Sequence, residues 1–479
     1  MKNKIIKTLS VVLSALLTAG FVGCGGDKQT ITRDTSVNVA SSLVDFSAFG
    51  DTRTADIYAW RGPTDLSDTQ WTYLKESGIN TLILDSGIDG SRGAQFGSSS
   101  QEEYIKKCAE YGIKAIGYTN GNLNPNVKDY GKKDFYSAIA GIDYTDEPPM
   151  QEFSDIAAVI PDFAEKYPEG KFFVCMNSSG ADTKALGTIS GYRDYIGSWY
   201  DTVLSQIPEG MPRILACDIY PLHNSEKYGY TYINETWLRS LAYLAEVKQA
   251  HPEIVLHMAM QSMSFGLVEN TSPRREPSEE DCLFQTYVNM AFGITEFSWF
   301  TYSTPPAVEG DKEFAENHVA MINRNGEKTA IYDAVKSANA LIYDMDEVMM
   351  SVTFRGVYPV YVDNGKQSGK IDEKAMRYLN NTEKVIAEIA DFNVINGVET
   401  DASIILSQFT DENNNEGFML VNYNDPLEKI SANVTLDLVD CDKIIVYRNG
   451  KATTEDAAGG KFAVEIPAGQ GVFVIPYKA

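Results

Sequence analysis

The stretch GIDYTDEPP, residues 141–149, places two acids, Asp146 and Glu147, at the end of an apolar strand and follows them with two prolines. A carboxyl group held there could donate or accept a proton. The apolar strand behind Glu147 and the acid beside it are expected to raise its pKa and keep it protonated near neutral pH. The same residues would also suit the first turn of a helix, where acids and proline are both favoured. Which reading wins depends on whether other polar side chains arrive at the same place.

The elements that must bring them there are legible in the hydrophobic pattern. From residue 54 short apolar strands alternate with amphipathic helices. The strands read IYAWRG (57–62), TLILD (81–85), KAIGYTN (114–120) and AGIDYTDEP (140–148). They continue with FFVCMN (172–177), ILACDIYPL (214–222), IVLHMAMQS (254–262) and ITEFSWFTY (294–302). Helical stretches such as QEEYIKKCAEYG and TWLRSLAYLAEVKQA lie between them. Eight such units over residues 54–345 predict a (β/α)8 TIM barrel. A doubly wound open sheet is disfavoured, since no glycine-rich phosphate turn follows the first strand.

In such a barrel the working face lies at the carboxyl ends of the strands. Those ends carry Trp60 and Arg61, Asp85, Tyr118 and Asn120, Asp146 and Glu147, and Asn177. The later strands add Asp218 and Tyr220, Gln261, then Trp299 and Tyr302. Aromatic faces pack on the C–H faces of sugar rings, while carboxylates and amides hydrogen-bond hydroxyls. A phosphate site would need glycines and cations that are scarce here. The combination points to carbohydrate. Glu147, Asp146 and Asp218 are the catalytic candidates. Trp60, Asp85, Tyr118, Asn120, Asn177, Tyr220, Gln261 and Trp299 are the candidate sugar contacts.

Strand parity refines this set, because residues two apart share a face. Asp143, Thr145 and Glu147 share one, which aims Glu147 into the barrel mouth if no bulge intervenes. Asp143 and His257, about 13 Å below their strand tips at about 3.3 Å per residue, read as buried polar core and as a potential pair. Glu296 has the opposite parity from Trp299 and is expected to face the helices.

These residues resemble the large barrel clan of retaining glycoside hydrolases. That clan ends strand four with an Asn-Glu acid/base pair, strand six with His-x-Tyr, strand seven with a nucleophilic Glu and strand eight with an aromatic. Glu147 in DEP matches the acid/base, Tyr220 in DIY the tyrosine and Trp299 in SWF the aromatic. Asp146 stands where Asn is usual, and Asp218 where His is usual. Strand seven departs most, offering Gln261 where the nucleophile should be. An amide cannot form the glycosyl ester that a double displacement requires.

The resemblance therefore implies a sugar-handling barrel and leaves three mechanisms open. Glu147 could be the general acid while Asp218 or Asp85 activates water, for which carboxyls roughly 6.5–9.5 Å apart are needed. The sugar's own N-acetyl group could be the nucleophile. Here GIDYTDE resembles the strand-four D-G-x-D-x-D-x-E of chitinases, with Gly141, Asp143 and Glu147 matching but Thr145 and Ala140 replacing aspartates. Finally, the barrel could bind glycans without cleaving them.

A formal charge of −25 over 479 residues argues against nucleic acid or anionic membrane surfaces as partners. After Cys24, the remaining cysteines (Cys108, Cys175, Cys217, Cys282 and Cys441) are odd in number and scattered. They make neither a disulfide framework nor a metal site, and no metal or cofactor is expected. Residues 1–24 run from a basic start through a short apolar segment to FVGC, which resembles a bacterial lipobox with Cys24 as the lipidated residue. That predicts a membrane-anchored protein on the cell surface, with residues 25–53 as tether. Residues 346–390 read as a transition containing one helix, and 391–479 as an antiparallel β-sandwich of short alternating strands.

Overall fold

Eight parallel strands close on themselves in chain order, with a hairpin set between the sixth and the seventh. The structure, a computed structural model, describes residues 55–84, 101–118, 137–225, 229–266, 273–307, 317–380, 385–448 and 451–479. The chain begins β1 (Ile57–Trp60), α1 (Asp68–Glu76), β2 (Thr81–Ile83), α2 (Gln101–Tyr111), β3 (Lys114–Tyr118) and β4 (Ile139–Asp146). Next come α3 (Phe153–Ala157), α4 (Ile160–Lys166), β5 (Lys171–Met176), α5 (Thr183–Leu186), α6 (Tyr192–Thr202) and β6 (Ile214–Asp218). A hairpin, β7 (Leu222–Ser225) and β8 (Tyr230–Ile233), follows β6 at its carboxyl end. The barrel then completes with α7 (Glu235–Ala250), β9 (Val255–Gln261), α8 (Glu279–Ala291), β10 (Glu296–Phe300) and α9 (Ala330–Met349).

Local signals explain where the helices start. Ser67 caps α1, Asn234 caps α7, and Ser278 with Asp281 forms a reciprocal capping box on α8. Each strand buries two faces. One packs outward under the helices around Trp71, Trp199, Trp237 and Trp299; the other fills the barrel with Tyr58, Trp60, Ile83, Ile116, Phe173, Cys175, Ile214 and Ala216. Double burial is why these segments read as near-continuous apolar runs.

Residues 346–390 contain β11 (Thr353–Val360) and α10 (Gln367–Asn380). The remainder carries β12 (Ile395–Thr400), β13 (Ile404–Thr410), β14 (Glu416–Asn422) and β15 (Ala432–Leu438). It ends with β16 (Lys443–Arg448), β17 (Lys451–Asp456), β18 (Lys461–Ile466) and β19 (Gly471–Tyr477). A six-stranded antiparallel sheet, β11-β13-β14-β19-β16-β17, packs on a three-stranded one, β12-β15-β18. β15 alternates buried and open positions, whereas β13, β14 and β19 are buried throughout. The reason is that Ile405, Phe409, Met419, Val421 and Phe473 turn toward the barrel and join its outer core. Buried Arg275, beside α8, clasps Asp425 of the sandwich through two nitrogens at 2.9 and 3.3 Å and also bonds Asp281.

Candidate active site

The carboxyl end of β4 does not run straight. Its register on β5 slips between Asp143 and Thr145. Below the slip Asp143 stands opposite Phe173; above it Thr145 stands opposite Val174 and Asp146 opposite Cys175. Phe173 and Cys175 are barrel-interior residues, while Val174 lies in the outer core. Residues opposite each other in a ladder share a face, so the bulge moves the inward position from Glu147 to Asp146.

Glu147 still reaches the mouth, by a different route. It leaves the strand in the left-handed region, at φ 45°. For a non-glycine residue such a conformation costs on the order of 1–3 kcal/mol and persists only where neighbours impose it. Three hydrogen bonds do so here. The Glu147 N–H donates to the Cys175 carbonyl at 2.8 Å, Asn177 Nδ2 donates to the Glu147 carbonyl at 3.0 Å, and the Tyr195 hydroxyl donates to the Pro148 carbonyl at 2.8 Å. Asn177 is itself buried. It is thus a positioning residue for the Glu147 turn rather than a sugar contact.

Opposite, Asp218 ends β6 on the inward face, in line with Ala216 and Ile214. Burial raises its pKa, while hydrogen bonds from Tyr220 and Glu147 and the charge of Arg274 pull the other way. Burial and the neighbouring Asp218 likewise push the Tyr220 hydroxyl well above its ordinary range, so it stays a donor to Asp218. Cys175 sits beneath the group, its thiol held well above its ordinary pKa by burial and then by Asp218, Asp146 and Glu147. Two carboxyls brought this close cannot both be ionised cheaply. Around them Tyr220 packs on Phe265 and Phe300, each at 5.1 Å between ring centres, and Arg274 lies over Phe265 at 4.9 Å.

Several expected sugar contacts are used elsewhere. Gln261 is fully buried, its side chain bonding the Leu222 N–H at 3.1 Å and the carbonyls of Met263 and Arg275 at 3.2 and 2.8 Å. It braces the loops above β9 and does not reach the mouth. Trp299 faces the helices, with its indole N–H on Asn339 Oδ1 at 2.7 Å; Phe300 takes the inward place at the tip of β10. Trp60 does point inward but lies within the barrel filling, bonded to Ser298 at 3.3 Å. Tyr118 is half-buried on the inward side of β3, in register with Asp143. Asp85, Asn120 and Cys24 lie outside the described residues.

Glu296 corrects the sequence reading in the other direction, since it faces the barrel interior and not the helices. His257 bonds Ser298 at 2.8 Å and faces Glu296 at 3.5 Å, so its acid partner is Glu296, where Asp143 had been the expectation. Arg274, Phe265 and Phe300 escaped the strand-tip reading. Arg274 and Phe265 lie on irregular segments whose place depends on cross-chain bridges, and Phe300 was overshadowed by its larger neighbour.

The indole assignment is directly testable. Trp299→Phe strands the buried Asn339 carbonyl and should destabilise the protein by about 1–3 kcal/mol in urea unfolding. Sugar affinity should be unchanged; a rise in KM with unaltered stability would restore Trp299 to the mouth.

No protein-family model matches the chain, and no curated protein matches it. Among solved structures, an Anoxybacillus alpha-amylase aligns over 89% of this chain and 98% of its own, at 10% identity and TM-score 0.44. An alpha-L-arabinofuranosidase from Thermotoga maritima aligns over 89% and 97%, at 9% identity and TM-score 0.42. A beta-galactosidase from Marinomonas ef1 aligns over 62% of this chain and 60% of its own, at 12% identity and TM-score 0.38. At that level of likeness nothing about catalysis passes from them to this chain.

Proposed function

We propose that the protein is a glycoside hydrolase in which Glu147 protonates the departing glycosidic oxygen. The observation that carries this reading is the Glu147–Asp218 contact, reinforced by Tyr220, at the carboxyl face of a closed barrel. A left-handed turn clamped at both carbonyls aims the Glu147 carboxyl at a site flanked by aromatic rings. That is the preorganisation a general acid needs.

The same contact argues against Asp218 as the base that activates water. Hydrogen-bonded carboxyls stand closer than the roughly 5–5.5 Å of a retaining pair or the roughly 6.5–9.5 Å of an inverting one. With the Gln261 amide occupied, the reading that fits best is substrate assistance on a 2-acetamido sugar. The acetamido oxygen would attack the anomeric carbon as Glu147 gives its proton to the leaving oxygen. Water would then open the cyclic intermediate, returning a proton to Glu147. Asp218, ionised, would accept the acetamido N–H, and Tyr220 would steady the acetamido oxygen. Asp218 would thereby fill, from strand six, the place that Thr145 leaves empty on strand four.

Matched aryl glycosides with and without a 2-acetamido group test this reading. Hydrolysis of the acetamido compound alone, with the anomeric configuration retained, is the expected result. Inversion on sugars lacking the group would transfer the base role to Asp146, the other inward carboxylate. Sugar binding without any product would make the barrel a binding protein. Lipidation at Cys24 would keep this activity on the outside of the cell; the basic, apolar and small-residue order of residues 1–24 supports that placement.

A further inference from the structure

Between the barrel mouth and the β7–β8 hairpin the backbone builds a small sheet. Tyr232 of β8 stands opposite His223 of β7, His223 bridges Arg274, and Arg274 bridges Phe265, every step antiparallel. Residues directly opposite in an antiparallel ladder project to the same side. Tyr232, His223, Arg274 and Phe265 therefore form a single row across two strands and two bridged segments. At about 4.8 Å per strand the row is about 14 Å long.

The row leads into the catalytic group. Phe265 packs edge-on against Tyr220 at 5.1 Å, and the Arg274 charge acts on Asp218. Its members divide into two kinds. His223 and Phe265 are buried, at 4% and 3% exposure, whereas Tyr232 and Arg274 are half-buried. Each half-buried group lies on a buried planar one: Tyr232 is stacked on His223 at 5.3 Å and 24°, and Arg274 sits over Phe265 at 4.9 Å. His223 is in turn fixed by Asn234, the cap of α7, at 3.2 Å. Tyr230, two residues along β8 from Tyr232 and 6.0 Å from its ring, lies beside the outer end of the row.

A set of flat groups held by packing against their neighbours loses little conformational freedom when a ligand binds them. We propose that this row is an extended subsite that holds further sugar units of a neutral oligosaccharide, running from the scissile bond toward Tyr232. Resting as it does on the glycosidase reading, it adds that the natural substrate is longer than a monosaccharide glycoside. Neutrality follows from charge. Asp146, Glu147 and Asp218 crowd the mouth, Arg274 is the cation that acts on Asp218, and the whole chain carries −25, so an acidic glycan would be repelled.

The test uses a panel of neutral oligosaccharides of two to six units (N-acetylglucosamine oligomers, β-glucans, mannans and xylans) beside an aryl monosaccharide glycoside. For the wild type kcat/KM should climb with length on one of these series. Tyr232→Ala should lower it about 10-fold on the pentamer and change it less than about 2-fold on the aryl glycoside. Tyr232→Phe, which keeps the stacked ring, should behave as the wild type. The same length dependence in wild type and Tyr232→Ala overturns the subsite while leaving the glycosidase reading intact. If nothing is hydrolysed, calorimetric titration with the same panel decides. Affinity that grows with length and is lost in Tyr232→Ala keeps the subsite and discards the hydrolase; no length-dependent binding by the wild type overturns the subsite.

Discussion

Glu147→Gln should lower kcat by about 10²–10⁴-fold while leaving the fold and sugar affinity in place. The amide keeps the shape of the side chain and can still donate a hydrogen bond to Asp218, but it has no proton to give the leaving oxygen. An aryl glycoside with an activated leaving group should lose far less, since its departure needs little protonation. Measuring both substrates separates loss of the acid from general damage to the site. Equal losses on the two would assign Glu147 a structural role, and a fully active variant would remove it from the mechanism altogether. Asp218→Asn provides the complement. It removes the ionised partner, so both substrates should suffer, because that group serves the nucleophilic half of the reaction.

The barrel was legible in the sequence because its determinants are local. Eight apolar strands punctuated by helix caps and αβ turns declare themselves in windows of ten residues, and all eight fall where the pattern puts them. The site was legible only in outline. Parity carries Glu147 inward along an ideal strand, but the slip between Asp143 and Thr145 is a property of how β4 lies on β5. A single sequence does not contain that register. Its consequence is that Asp146 holds the inward place and Glu147 arrives through a strained turn.

Trp299 and Glu296 failed together, and for one reason. They have opposite parity, so placing the tryptophan in the mouth forced the glutamate among the helices. The charge that could have reversed the choice is remote: Glu296 is turned inward by Lys171, 125 positions away. Arg274 was hidden in a similar way, on a segment held in place by its pairing with His223 and Phe265. Residues placed by long-range pairing are the ones that strand periodicity misses.

Lys171 should prove the most sensitive position for stability. At the amino end of the barrel its ammonium bonds Asp56 at 2.5 Å, Glu296 at 2.6 Å and the Tyr58 hydroxyl at 2.6 Å. Tyr58 in turn donates to Glu296 at 2.7 Å, and Lys114 shares Asp56 at 2.6 Å. Lys171→Met would leave the buried Glu296 without its lysine and Asp56 with Lys114 alone, a change expected to cost about 3–5 kcal/mol. Adding Glu296→Gln should recover part of that loss, because the two residues are coupled. The pH dependence follows from the same contacts. Burial alone would raise the Glu296 pKa, but Lys171 and His257 outweigh it and bring it from 4.5 down to about 2. A depressed acid stabilises the fold above its unfolded pKa, and that stability fades as pH falls from about 4.5 toward about 2, in total roughly 3 kcal/mol. His257, depressed by burial, adds an earlier loss that sets in below its ordinary 6.5, because the unfolded chain takes up the proton first. Lys171, raised by Glu296 and Asp56 against the effect of burial, acts at the other end, its contribution fading only above 10.5. Urea midpoints across this range should therefore fall in acid for the wild type and fall much less between pH 4.5 and 2 for the double variant. Parallel acid limbs would place the controlling carboxylates elsewhere in the protein.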